Sequence, residues 1–367
     1  MRVLMTGQIG LDKRSYLESA KRFTRENGQT LEVFNVGDMM YAETPDVRQG
    51  RILDLPHSRL HAIRRSVFKD IIHQFAGKKN AIINTHATFR WRHGLFRAFD
   101  FDQMQELNPD LLICLIDTVN SIYHRLTAKH TLDVTLKDIM MWREEEILAT
   151  ELLALALGRH EHYYILARGK SEPSLRLLDQ LVCQPELPKI YLSFPMSHVV
   201  GMPDVLAEID EFRETMAQRY VVFDPAALDD RLLLDRAIEV VREGGGFVTS
   251  TIHLDDGSTT ECTNSVKQIL EIAGDIDGQI YMRDFQFIDQ SDMIISLVPE
   301  LPSGLPALSS GVERELHHAF EHGKEVYVIW HPSRPPSPFI TETATQVVKT
   351  TQEVMEILDG RSSKVAS

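Results

Sequence analysis

Two sets of residues in this chain have types and spacings that could do chemistry. The first is Glu315, which follows the small-residue turn Ser309-Ser310-Gly311. Leu316, Ala319 and Phe320 then fall at helical spacing, so Glu315 is expected in the first or second turn of a helix. A carboxylate there feels the positive end of the helix dipole, which favours its ionised form. An ionised, positioned carboxylate is the group that attacks a sugar at its anomeric carbon. Glu313 lies two residues away and points to another face. The second set is Gly7, Gly10, Lys13 and Ser15, between an apolar segment and an amphipathic stretch through Tyr16, Ala20 and Phe23. Strand, glycine-bearing loop and helix in that order place backbone N–H groups and one lysine around phosphates.

The elements that must hold these groups read as alternating strands and helices. In the first half, strands are expected at the N-terminus, at FNVGDMMY (34–41), at AIINTHATF (81–89), after Pro109 and at YYILA (163–167). A helix is expected over about 138–158, with a polar first half and an apolar second half that reads as plain core packing. In the second half, KIYLSFPM (189–196) reads as a strand ending at Pro195, 204–219 as a helix and YVVFDP (220–225) as a strand. MIISLV (293–298) and the run after Gly323 read as buried strands, and 341–359 as an amphipathic helix. The stretch from Arg242 to Gly278 is long enough to be a lid or an insertion. The expected fold class is therefore α/β, with two doubly wound parallel-sheet domains at 1–168 and 189–367 and a Gly, Pro and Ser-bearing linker at 169–188.

Composition narrows the function classes. A net charge of -14 argues against nucleic acid as a partner, because phosphate-backbone binding needs clustered Lys and Arg. Three widely spaced cysteines in a chain whose Met1-Arg2-Val3 leads straight into a strand point to a reducing, cytoplasmic setting without a signal peptide. No apolar run approaches membrane-spanning length, so no membrane partner is expected. The fifteen histidines form no HxxxH or HxH pair supported by nearby carboxylates; HEH at 160–162 and HH at 317–318 read as surface, and no metal site is assigned.

The quoted segments carry two resemblances. Residues 189–332 resemble the nucleoside 2-deoxyribosyltransferases and 2'-deoxynucleoside 5'-monophosphate N-glycosidases, in the opening strand, the Asp284 and Asp292 positions and the Gly311-Val312 turn before Glu315. The resemblance implies Glu315 as nucleophile, Asp284 as a second catalytic acid, and Ser193, Ser309 and Gly311 around the sugar or its 5'-phosphate. Asp292 is left as a structural cap. Ser at 309, where the transferases have Asp, favours a phosphorylated substrate, since a carboxylate would repel a phosphate dianion. Residues 1–168 resemble archaeal-type adenylate kinases, which implies ATP or another nucleotide, possibly with Mg2+, at Gly7, Gly10, Lys13, Ser15 and Arg125. Glycosidic cleavage itself needs no cofactor.

The kinase-like half departs from its pattern. Asp12 replaces the glycine before Lys13, Arg14 takes the hydroxyl position, Asn84 stands for an acid, and the segment after Arg125 lacks paired arginines. Missing lid arginines lower transition-state stabilisation more than ground-state binding. The expected function is glycosidic cleavage or deoxyribosyl transfer on nucleosides or nucleotides, with weak or absent kinase activity. The alternatives are an active nucleoside monophosphate kinase fused to the glycosidase, and a nucleotide sensor without catalysis. The family resemblance further implies a homo-oligomer, a dimer or higher.

Overall fold

A computed structural model describes residues 1–75, 77–91, 94–130, 133–169, 171–196, 199–254 and 258–365. Arg92 and His93 of the basic stretch, Thr131 and Leu132 after Arg125, and 255–257 in the insertion lie outside the described residues. The chain forms two compact units, Met1–Pro185 with Ala227–Gly278, and Glu186–Ala226 with Gln279–Ser367.

The first unit is built on a parallel sheet of Arg2–Thr6, Glu32–Asn35, Ala81–Asn84, Leu111–Ile116 and Tyr163–Ala167. In sequence order its strands lie 2-3-1-4-5, so the strand leading into the glycine-bearing loop is central. Leu111–Ile116 and Tyr163–Ala167 are buried at every position, as parallel strands covered on both faces must be. FNVGDMMY is not one strand: the sheet takes Glu32–Asn35, and Val36–Ala42 turns into a helix with Asp38 in its first turn. Ala81–Asn84 ends before a separate hairpin of Thr88–Trp91 and Gly94–Arg97. The helix Leu136–Ala156 starts at a capping box in which Thr135 and Asp138 bond reciprocally.

The insertion joins this first unit. The part of the chain that joins it, Ala227–Gly278, begins earlier than the expected 242–278 and contains the helix Asp230–Arg242, an antiparallel hairpin of Phe247–His253 and Thr259–Ser265, and the helix Val266–Glu271. Its anchor is Asp230, a fully internal acid that accepts the Val119 N–H at 2.8 Å and pairs with Arg143 at 2.8 Å. The buried Asn264 of the hairpin donates to Asn120 at 2.6 Å.

The second unit holds another all-parallel sheet, of Lys189–Ser193, Val221–Phe223, Met293–Val298, Glu325–Trp330 and Gln346–Val348. Its strands lie in the order 2-1-3-4-5, with strands one and three adjacent. In this order the ligand crevice opens at the carboxyl ends of strands one and three, where the connections diverge. Asp292 ties the opposite, amino ends of these two strands, its carboxylate accepting the Lys189 N–H at 2.8 Å while its own N–H donates to Lys189 O at 2.8 Å. It pins two strands rather than capping a helix. Ile190, Leu192, Ile295 and Leu297 enter a core with Val205, Ile209, Phe212 and Met216 of the helix Pro203–Arg219. The stretch expected as one helix, 341–359, contains the edge strand Gln346–Val348 before the helix Thr351–Val365.

Asp230→Ala leaves the Arg143 guanidinium buried without its partner acid, which costs about 3–5 kcal/mol. Urea denaturation should show a lowered midpoint of that size, and a surface acid such as Asp235 changed to Ala should not.

Candidate functional site

Strand alternation puts Tyr191 and Ser193 on the face of Lys189–Ser193 opposite Ile190 and Leu192. Ser296 pairs with Ser193 across the parallel ladder and shares its side. The helix Ser310–Glu321, which packs on these strands, brings Glu315 to them from its second turn. Ser193 Oγ donates to Glu315 Oε2 at 2.6 Å, fixing one carboxyl oxygen. The hydroxyl of Ser296 is buried without a hydrogen-bond partner, and that of Tyr191 faces the Glu315 carboxyl. Such an orphan costs about 1–3 kcal/mol, a cost that marks a site made for something else.

Asp284 comes from the helix Ala273–Asp289 and is 9% exposed. Arg283 donates to its Oδ1 at 3.2 and 3.3 Å and to the Pro225 carbonyl at 3.2 Å. Burial pushes Asp284 up to about 6, against the pull of Arg283 and with the push of Asp224. Burial likewise raises Glu315 to about 7; the Ser193 bond opposes the rise and the negative charge of Asp284 adds to it. Tyr191 is driven well above its ordinary value by burial and by Glu315. The sequence expectation that the helix dipole leaves Glu315 readily ionised is therefore corrected. One dipole end is worth about 0.3–1 kcal/mol at exposed sites, whereas withdrawing a carboxylate from water shifts its pKa by units.

Ser309 is the N-cap of the Glu315 helix, its Oγ accepting the Val312 N–H at 3.2 Å. That bond uses a lone pair and leaves the hydroxyl proton free to donate. A Cβ at Gly311 would meet only Ser309 Oγ, at 3.5 Å, so space above this turn stays open. Ser193, Asp284 and Glu315 thus share one electrostatic neighbourhood, with Ser309 and Gly311 at the start of the helix carrying Glu315.

The other candidate set surrounds the first strand. Gly7 has φ 140 and lacks room for any side chain, since a Cβ would lie 2.5 Å from Leu11 Cδ1 and 2.6 Å from Leu115 O. Asp12 sits at φ 52, ψ 45, so the loop keeps a left-handed, glycine-type conformation although the residue is Asp. Lys13 begins the helix Lys13–Glu26, donates to the Gly7 carbonyl and lies 3.2 Å from His86 Nδ1. Burial lowers Lys13 to about 8, with Glu146 pulling the other way. The same burial, with the Lys13 charge, holds His86 well below its ordinary value and hence neutral. Ser15 is half-buried in the first helical turn. Asn84 donates to Asn35 at 2.8 Å while its Oδ1 is buried and unpartnered.

Three charged groups complete this set, and two were not anticipated. Glu146 accepts the Gly7 N–H at 2.9 Å, the Ala87 and Thr88 N–H groups at 2.7 and 2.9 Å, and the Thr88 hydroxyl at 2.7 Å. Arg125 pairs with the buried Asp117 at 2.8 Å, and Arg143 donates to the Asp117 carbonyl at 3.0 Å besides holding Asp230. The helix expected to be simple core packing therefore sends Arg143 and Glu146 into the loop's surroundings. The signal was present: 139, 143, 146 and 150 fall on one helical stripe, and charged residues on a core-facing stripe need partners.

Residues 10–140 match the family model described as "AAA domain". Together with the loop, Lys13 and the 2-3-1-4-5 sheet, this decides the class of the first unit. It is a domain of the P-loop, nucleotide-binding kind. Among solved structures, a gluconokinase from Sinorhizobium meliloti 1021 is similar at 10% identity, over 49% of this chain and 94% of its own, with a TM-score of 0.28. No curated protein matches the chain. Among the described residues no helix is long and apolar enough to cross a membrane.

The raised acids make stability depend on pH with a fixed sign. A native Glu315 near 7, against 4.5 when unfolded, binds more protons than the unfolded chain between those values, so its contribution is lost as pH rises through the window. Thermal midpoints should show Glu315→Gln gaining on the parent between pH 4.5 and 7 and holding that gain above. A difference that stays flat with pH contradicts the raised value.

Proposed function

We propose that the second unit cleaves the N-glycosidic bond of nucleosides or nucleotides, and that the first unit binds a nucleotide through its P-loop. The observation that carries the first part is the interacting acids Glu315, half-buried, and Asp284, buried, near the carboxyl end of a parallel strand, with Ser193 fixing Glu315. Two interacting carboxyls raised to about 6 and 7 titrate as a pair near neutrality, with the proton resting more on Glu315 than on Asp284 in the free protein, so attack requires a bound substrate to move it to Asp284. Glu315 attacks the anomeric carbon through the oxygen not held by Ser193, and the base departs through an oxocarbenium-like state. Asp284, oriented by Arg283, protonates or steers the leaving base. Ser309 and the open turn at Gly311 receive the 5' end of the sugar, where a helix N-terminus favours phosphate. Water or a second base then takes the sugar from Glu315. A homo-oligomer, which the deoxyribosyltransferase resemblance suggests, belongs to the same reading.

In the first unit, Gly7, Gly10 and Lys13 fit a nucleotide's phosphates, and Ser15 with the unpartnered Asn84 oxygen fits the water shell of Mg2+. Bound there, the metal neutralises phosphate charge. A second reading, in which this unit transfers a phosphoryl group, is supported by the family match over residues 10–140. The pairing of Arg125 with Asp117 and of Arg143 with Asp230 favours binding over fast transfer, because committed guanidinium groups are poorly placed to meet developing charge.

Base release should be followed by chromatography over a panel of nucleosides and deoxynucleoside monophosphates, with and without acceptor base. Glu315→Ala should lower the rate at least about 10³-fold, as loss of a nucleophile does. An unchanged rate removes the glycosidase reading. Separately, ADP formation from ATP and nucleoside monophosphates should be slow, while Asp12→Gly, which removes a negative charge from the loop, should tighten ATP binding. Robust turnover abolished by Lys13→Ala establishes the kinase reading instead.

A further inference from the structure

The helices that carry Asp284 and Glu315 meet again at a cluster outside the proposed site. Asp289 ends the helix Ala273–Asp289; His318 lies in the last turn of Ser310–Glu321, and His322 is its C-cap. One ligand atom from each of the three falls within 4.8 Å of the others. His318 and His322 are one turn apart, an HxxxH pair with a carboxylate supplied by a different helix, which the sequence reading had set aside. Their rings stack at 4.0 Å, and Phe285 covers His318 at 4.5 Å.

We propose that Asp289, His318 and His322 bind a divalent transition-metal ion of the zinc class. Two imidazoles and one carboxylate are the donor set this class prefers, and three protein ligands with a water complete a tetrahedral shell. The second observation is the state of the rings. His322 Nδ1 donates to the His318 carbonyl at 2.8 Å, which fixes its tautomer and leaves Nε2 with its lone pair outward. Metal-bound histidines are oriented by this kind of outer bond to a backbone oxygen. His318 Nε2 stands 2.7 Å from Asp289 Oδ1, so an ion entering between them takes the place of the proton they share. The Lys324 ammonium is committed to the Asp289 and Ser291 carbonyls. His317 is not part of the site; it is exposed and pairs with Glu321 at 3.2 Å. Occupancy cross-links the two helices that position Asp284 and Glu315.

Zinc should be titrated into untagged full-length protein in competition with a chromogenic chelator. One equivalent should bind, and its affinity should fall at least about tenfold in His318→Gln and in His322→Gln, since even outer-shell losses have such effects. His317→Gln should bind as the parent does. Circular dichroism and thermal midpoints in chelator show whether each variant is folded. Zinc should then raise the parent's midpoint and leave that of His322→Gln unmoved. Parent-like affinity in the His318 and His322 variants, equal loss in His317→Gln, or no bound equivalent overturns the site.

Discussion

The partial burial of Glu315 against Ser193 and Asp284 is the constraint on which the second unit's site depends. A carboxyl group on a solvated helix face would be ionised, mobile and unremarkable at any ordinary pH. Here the Lys189–Ser193 strand carries Ser193 up to it and the neighbouring Asp284 opposes its charge. The parallel sheet makes this possible, because strands one and three lie side by side and their connections part at the carboxyl ends. Side chains in the crevice are shielded by strands and helices that are buried for other reasons. The raised proton affinity of both acids then follows from desolvation.

The first unit shows the opposite use of buried charge. Around its P-loop the protein supplies its own counter-ions: Glu146 for the Gly7 N–H, Asp117 for Arg125 and Asp230 for Arg143. Breaking any one of these pairs strands a charge in the interior, which is why they hold the loop, the helix Leu136–Ala156 and the insertion together. Asp12, in a backbone conformation suited to glycine, adds local strain and a negative charge where phosphates would lie.

Much of the scaffold was legible because buried parallel strands leave unbroken apolar runs, as at 111–116, 163–167 and 293–298. Short elements were not. Val36–Ala42 carries too few residues to show a helical period, and Gln346–Val348 looks like part of the helix that follows. The sequence could nominate Glu315, Asp284 and Ser193 as candidates, which the structure places near one another, but not their protonation. It depends on what surrounds the carboxyls, and here burial outweighs the dipole that local sequence suggests. Glu146 and Arg143 were visible as charges on a core-facing stripe, but their partners Gly7 and Asp230 lie far along the chain. The His318 and His322 pair shows the same limit, since the third group, Asp289, comes from another helix.

The most direct test is to trap the sugar on the enzyme. A 2-fluoro-2-deoxy nucleoside or nucleotide slows departure of the sugar from a carboxylate nucleophile. Intact-mass and peptide mass spectrometry after incubation should show one pentose adduct on the peptide containing Glu315, with the base released in equal amount. An adduct on any other residue, or base release with Glu315 never modified, would contradict the account.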